Sequence, residues 1–111
     1  MEIRIDNDEF GKRQLTLIYA IIRFIKDELQ AAGLPKEQVL KLSAEIGSAV
    51  ASAVDGSRVV YQRSSGQRLQ PVLMFADDAD SKKLVAHSGS SSHMHEYVHG
   101  IVQKMSEAET A

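Results

Sequence analysis

Residues 7–35 read NDEFGKRQLTLIYAIIRFIKDELQAAGLP, and this stretch decides the architecture. Leu15, Ile18, Ile22, Ile25 and Leu29 recur at alternating spacings of three and four, which places them on one face of an α-helix. Asn7 or Asp8 offers a side-chain acceptor for the free amides of the first helical turn. Gly33 suits the residue just past a helix end, and Pro35 cannot extend that helix but fits the first turn of another. So short a link predicts two roughly antiparallel helices. Val39, Leu42, Ile46, Ala49 or Val50, and Ala53 form the predicted apolar face of the second helix. Its later half, residues 44–53, is rich in Gly, Ala and Ser. Side chains that small let a neighbouring element approach closely, so a tight helix–helix contact is expected around Gly47.

Outward from this hairpin the chain changes period. Residues 1–5 alternate apolar Met1, Ile3 and Ile5 with charged Glu2 and Arg4, the pattern of a half-buried strand. Residues 58–62 and 69–75 are strand candidates joined by the turn Ser64-Ser65-Gly66-Gln67, a predicted β-hairpin. Pro71 lacks a donor for the ladder and assigns the second of these strands to an edge or a bulge. Residues 77–81 form an acidic turn, 83–86 a further short strand and 88–92 a Gly/Ser loop. Met94, Val98, Ile101, Val102 and Met105 then mark a third helix over about residues 94–106, with a frayed tail beyond. The fold class expected is α+β: an antiparallel helical hairpin packed on a small, mainly antiparallel sheet, with a C-terminal helix. Residues 1–111 form a single domain, with no internal repeat.

Composition narrows the function classes. Of 111 residues, 43% are apolar and 25% charged, which suits a globular domain with its own core. A net charge of −2 and only six aromatic residues argue against a nucleic-acid module. The absence of cysteine excludes disulfides, thiol nucleophiles and zinc ribbons. The most apolar stretch, residues 15–25, is shorter than the roughly 20 residues of a membrane span. Residues 1–14 lack the apolar core of a secretory signal. A cytoplasmic location is the expectation.

One motif carries chemistry. His95-Glu96-Tyr97-Val98-His99 has the HExxH spacing, which on an α-helix sets two imidazoles one turn apart on one face. The pentapeptide resembles the zincin metallopeptidase signature, over about ten residues of the chain. That resemblance implies a zinc ion held by His95 and His99, with Glu96 as general base on the metal-bound water. The longer metzincin pattern is absent, since Val102 and Met105 occupy its Gly and His positions. Glu107 lies about 12 Å further along the helix at 1.5 Å per residue, too far to complete the site. His93 or His87 would then supply a third ligand from upstream. Asp77, Asp78 and Asp80 lack the glycine and terminal Glu of a calcium loop and read as a turn. Ser64 and Ser65 have no nucleophile elbow around them, no phosphate-binding glycine loop occurs, and Arg58, Arg63 and Arg68 read as one side of a mixed-charge surface.

The leading expectation is therefore a non-enzymatic, self-associating or protein-interaction module without a cofactor, binding neither nucleic acid nor membrane. A zinc-dependent hydrolase using Glu96, or a metal- or ligand-binding protein built on His93, His95 and His99, is the alternative. The first helix carries a second apolar row, Leu17, Ile21 and Phe24, beside its core-facing one. That row is the expected homodimer interface, since twofold association is the commonest way to bury such a face.

Overall fold

A computed structural model of the protein describes residues 1–55, 61–69, 71–77, 79, 82–89 and 94–110. The elements run β1 (Glu2–Ile5), α1 (Asn7–Ala31), α2 (Lys36–Val54), β2 (Tyr61–Gln62), β3 (Arg68–Leu69), β4 (Phe75–Ala76), β5 (Lys83–Ala86), a 3₁₀ turn (Met94–Tyr97) and α3 (Val98–Thr110). The architecture is α+β, as expected.

Local chemistry sets the ends of α1. Asp6, not Asn7 or Asp8, is the N-cap, its carboxylate accepting from the Glu9 amide at 3.1 Å. Asn7 ties the loop after β5 to the start of α1, donating to Ser88 Oγ and accepting from the Ser88 amide, both at 2.9 Å. At the other end Gly33 takes φ +83°. Its amide donates to Gln30 O and that of Leu34 to Leu29 O, the paired bonds of a Schellman motif. Pro35 caps α2 with no side-chain hydrogen bond, and Asp55 closes that helix.

The helix faces differ from the sequence reading by a rotation. In α1 the fully buried row is Phe10, Gln14, Ile18 and Ile22, while Leu15 is 45% exposed. In α2 it is Val39, Ser43, Ala44, Gly47 and Ala51, and Ile46 faces outward. Small residues at every fourth position of α2 let α1 and α3 come closer than Leu42 and Ile46 would permit. An added Cβ on Gly47 would stand 3.1 Å from Ile22 Cγ1 and 3.3 Å from Val98 Cγ1. The expected close contact at this position is thus present, with two partners.

Met94, Val98, Ile101, Val102 and Met105 are all buried and, with Ile18, Ile22, Ala44 and Ala51, make the main core. The third helix begins as a 3₁₀ turn over Met94–Tyr97 and continues as α3 over Val98–Thr110.

The β-structure forms two small sheets where one was expected. β1 pairs parallel with β5, which pairs antiparallel with β4. β2 and β3 form a separate antiparallel hairpin whose turn places Gly66 at φ +90°. The strand expected over residues 69–75 is interrupted around Pro71, leaving β3 and β4 on either side. Strand candidates 58–60 lie outside the described residues. The β1·β5·β4 sheet meets the N-terminal half of α1 through Phe10, whose ring packs edge-on against Phe75 at 5.3 Å. Asp77, after β4, takes both Arg4 and Arg13 at 3.2 Å and so ties β1 and α1 to that turn. Asp77 thereby acts as an ion-pair node; Asp78 and Asp80 lie outside the described residues.

Candidate functional site

The 3₁₀ turn that opens the last helix carries His95 and Glu96, and His99 follows in the first turn of α3. The HExxH motif therefore straddles two kinds of helix. With 3.0 residues per turn in one part and 3.6 in the other, i and i+4 positions no longer stack as they do on a continuous α-helix. Among the described residues no three His, Cys, Asp or Glu side chains gather around a common point for a metal ion. His93 lies outside the described residues.

His95 is nevertheless held by a specific partner, Asp55, forty positions earlier. Asp55 is 2% exposed and its carboxylate accepts the His95 backbone amide at 2.9 Å. The same oxygen, Oδ2, faces His95 Nδ1 within hydrogen-bond reach. An ionised carboxylate only accepts, so Nδ1 carries the proton and the neutral ring keeps its lone pair on Nε2. Asp55 thus closes α2, satisfies an orphan amide of the 3₁₀ turn and fixes the tautomer of His95. Carboxylate–imidazole pairs of this form orient metal-binding histidines. The His95 side chain is part exposed, and His99, Glu96 and Tyr97 are exposed beside it.

Asp55 also lines a cleft of about 190 Å³ shared by Ile5, Phe10, Leu73 and His87. His87 Nδ1 accepts from the Gly89 amide at 2.8 Å, and its ring packs edge-on against Phe10. With that lone pair engaged, the neutral His87 ring carries its proton on Nε2, and neither nitrogen is set to ligate a metal.

The expected interface row divides. Leu17 and Ile21 are partly buried against the core, whereas Phe24 is 66% exposed. Beside Leu17 and Ala20, α1 and β4 border a shallow trough of about 600 Å³, with Phe75 on its far side and Glu9, Lys12 and Arg13 at one end. Sequence reasoning missed two features, the Asp55–His95 pair and the exposed apolar side chains of β1. Ile3 and Ile5 are 51% and 57% exposed. Their alternation with Glu2 and Arg4 was legible, but it implied burial that the small sheet does not provide. No helix among the described residues is long and apolar enough to cross a membrane. No protein family, curated protein or solved structure matches this chain.

Proposed function

We propose that the protein is a non-enzymatic module that works by self-association. The observation that carries this reading is the amount of surface left uncovered. The chain exposes 7325 Å², about a fifth more than the roughly 6,100 Å² of a compact monomer of this mass. Its radius of gyration is 16.1 Å, against roughly 13 Å for a compact domain of this length. Ile3, Ile5, Phe24 and Val72 contribute apolar side chains to that surface, each more than half exposed. Phe24, with the uncovered parts of Leu17 and Ile21, is one surface available for association and β1 is another. Light scattering across a wide concentration range tests the reading: a dimer mass is expected, and a monomer at every concentration would overturn it.

The Asp55–His95 pair favours a second reading, in which His95 and His99 hold a zinc ion with a ligand drawn from elsewhere, His93 being the nearest candidate by sequence. Equilibrium dialysis of tag-free protein tests it. Stoichiometric zinc that disappears in both His95→Ala and His99→Ala would support it, and hydrolysis lost in Glu96→Gln with zinc retained would extend it to an enzyme.

A further inference from the structure

We propose that a second copy of the chain joins at the outer edge of β1, pairing β1 with β1 antiparallel about a twofold axis through Ile3. The two three-stranded sheets then become one sheet of six strands. This rests on the self-association proposed above and assigns it a place.

β1 is the end strand of its sheet, paired with β5 alone among the described residues. The Glu2 amide donates to Lys82 O and the Asp6 amide to Ala86 O, so the even-numbered amides point inward to β5. Backbone groups alternate sides along a strand, so those of Ile3 and Ile5 point outward, unpaired, at the free edge. Exposed edges are usually blunted by Lys, Pro or a bulge. β1 has no Lys, Pro or bulge; its shortness and its charges, Glu2 and Arg4, discourage an arbitrary strand, while its two outward-facing positions carry exposed β-branched side chains.

A second β1 fits that edge better than an arbitrary strand does, because the sequence Met1-Glu2-Ile3-Arg4-Ile5 complements itself. Centring the pair on Ile3 sets Ile3 against Ile3, Glu2 against Arg4 and Met1 against Ile5 of the second copy. Every residue with outward backbone groups then meets another of its kind. Ile3 exchanges two N–H···O bonds with its equivalent, and the Ile5 amide reaches the Met1 carbonyl of the second copy. Glu2 and Arg4 fall at the close, non-hydrogen-bonded positions, where opposite charges attract most. The Glu2 carboxylate has no partner among the described residues. Arg4, held by Asp6 and Asp77, is still 47% exposed at its side chain and can take a further carboxylate. On the other face Ile3 meets its equivalent and Met1 meets Ile5 of the second copy, so these apolar side chains lose their exposure to water. Nor does α1 obstruct the approach: Arg13 donates to Ala76 O, so the helix leads from the end of β1 across the sheet to β4, away from the free edge.

The absence of cysteine makes the register directly testable. In Ile3→Cys the two engineered residues sit opposite one another with Cα atoms about 5.5 Å apart, within disulfide range. In Ile5→Cys the equivalent atoms are four residues out of register, at least about 13 Å apart, beyond it. We expect full-length Ile3→Cys to form a covalent dimer with oxidised glutathione at low micromolar protein, and Ile5→Cys to remain uncrosslinked. Sedimentation should show a roughly tenfold weaker dimer in Glu2→Lys, where two attractive cross-strand pairs become repulsive. A dimeric wild type in which Ile3→Cys fails to crosslink, or crosslinks no faster than Ile5→Cys, would overturn the β1 pairing and leave self-association standing. Phe24→Glu monomeric beside a Glu2→Lys that dimerises as tightly as the wild type would do the same and assign the interface to α1. A wild type that is monomeric throughout would overturn both.

Discussion

Gly47→Leu puts the helical packing to a quantitative test. Gly47 lies in α2 where Ile22 of α1 and Val98 of α3 converge, both fully buried. A Cβ there would sit at 3.1 and 3.3 Å from their Cγ1 atoms, inside the 3.5–4.0 Å optimum for carbon pairs. Gly47→Ala therefore sets two opposing effects against each other. Alanine is worth about 1 kcal/mol over glycine in a helix interior, and the tight contacts oppose it by a similar amount, so little net change is expected. Leucine adds three further carbons with no space between Ile22 and Val98. Overpacking typically costs about 1–3 kcal/mol. Prising α1 or α3 away would re-expose side chains whose burial is worth about 1.5–3 kcal/mol each. A net loss of about 2 kcal/mol is expected after the helix-propensity gain, lowering Tm by about 10 °C in a domain of this size. Thermal unfolding followed by circular dichroism, with urea titration alongside, measures it. A Gly47→Leu protein that melts with the wild type would refute the three-way contact.

Two further perturbations probe single side chains. The Glu9 amide, and after it Arg4, hold the Asp6 carboxyl below the usual carboxylate range, so this cap should be fully present above about pH 4 and lost as pH falls through the lower, folded-state value. Asp6→Ala should lower Tm at pH 7 more than Asp6→Asn, which retains a capping acceptor, and the wild-type advantage over Asp6→Asn should shrink in acid; equal melting of both variants at pH 7 would exclude a capping role. Asp55→Ala removes a buried charged acceptor from the His95 amide and should cost about 1.5–3 kcal/mol, read as a fall in urea midpoint, whereas an unchanged midpoint would show that the pair contributes nothing to the fold.

The three helices were legible because their signals are local. Gly33 and Pro35 mark the hairpin by backbone restriction alone, and Met94, Val98, Ile101, Val102 and Met105 repeat often enough to fix the buried face of the last helix. The exact faces of α1 and α2 were not, because periodicity rewards large apolar side chains. Here closeness of approach governed instead, favouring Ser43, Gly47 and Ala51 over Leu42 and Ile46, and carrying Gln14 inward while Leu15 stays exposed. Pairings over long sequence separation leave no local trace. Nothing in residues 1–5 indicates a parallel partner at 83–86, and nothing near His95 points to Asp55. The HExxH spacing is visible in the sequence, but not that the chain there takes a 3₁₀ turn over Met94–Tyr97 with the His95 amide bonded to Asp55.

The parallel pairing of β1 with β5 also orders the assembly of the chain in time. α1 and α2 are joined by four residues and meet through neighbouring sequence, whereas Ile3 and Leu84 are brought together only by closing some eighty residues of chain. Relative to a ten-residue loop that closure adds about 1.8 kcal/mol of chain entropy, and contacts between distant segments form late. The α1–α2 hairpin, closed by its four-residue link, therefore stands first; the third helix, which reaches Ile18 and Ile22 across a comparable length of chain, and the β1–β5 pairing both follow it. The opening strand, paired on one side only among the described residues and contributing nothing to the core cluster, is the element most readily released while the helices stay folded.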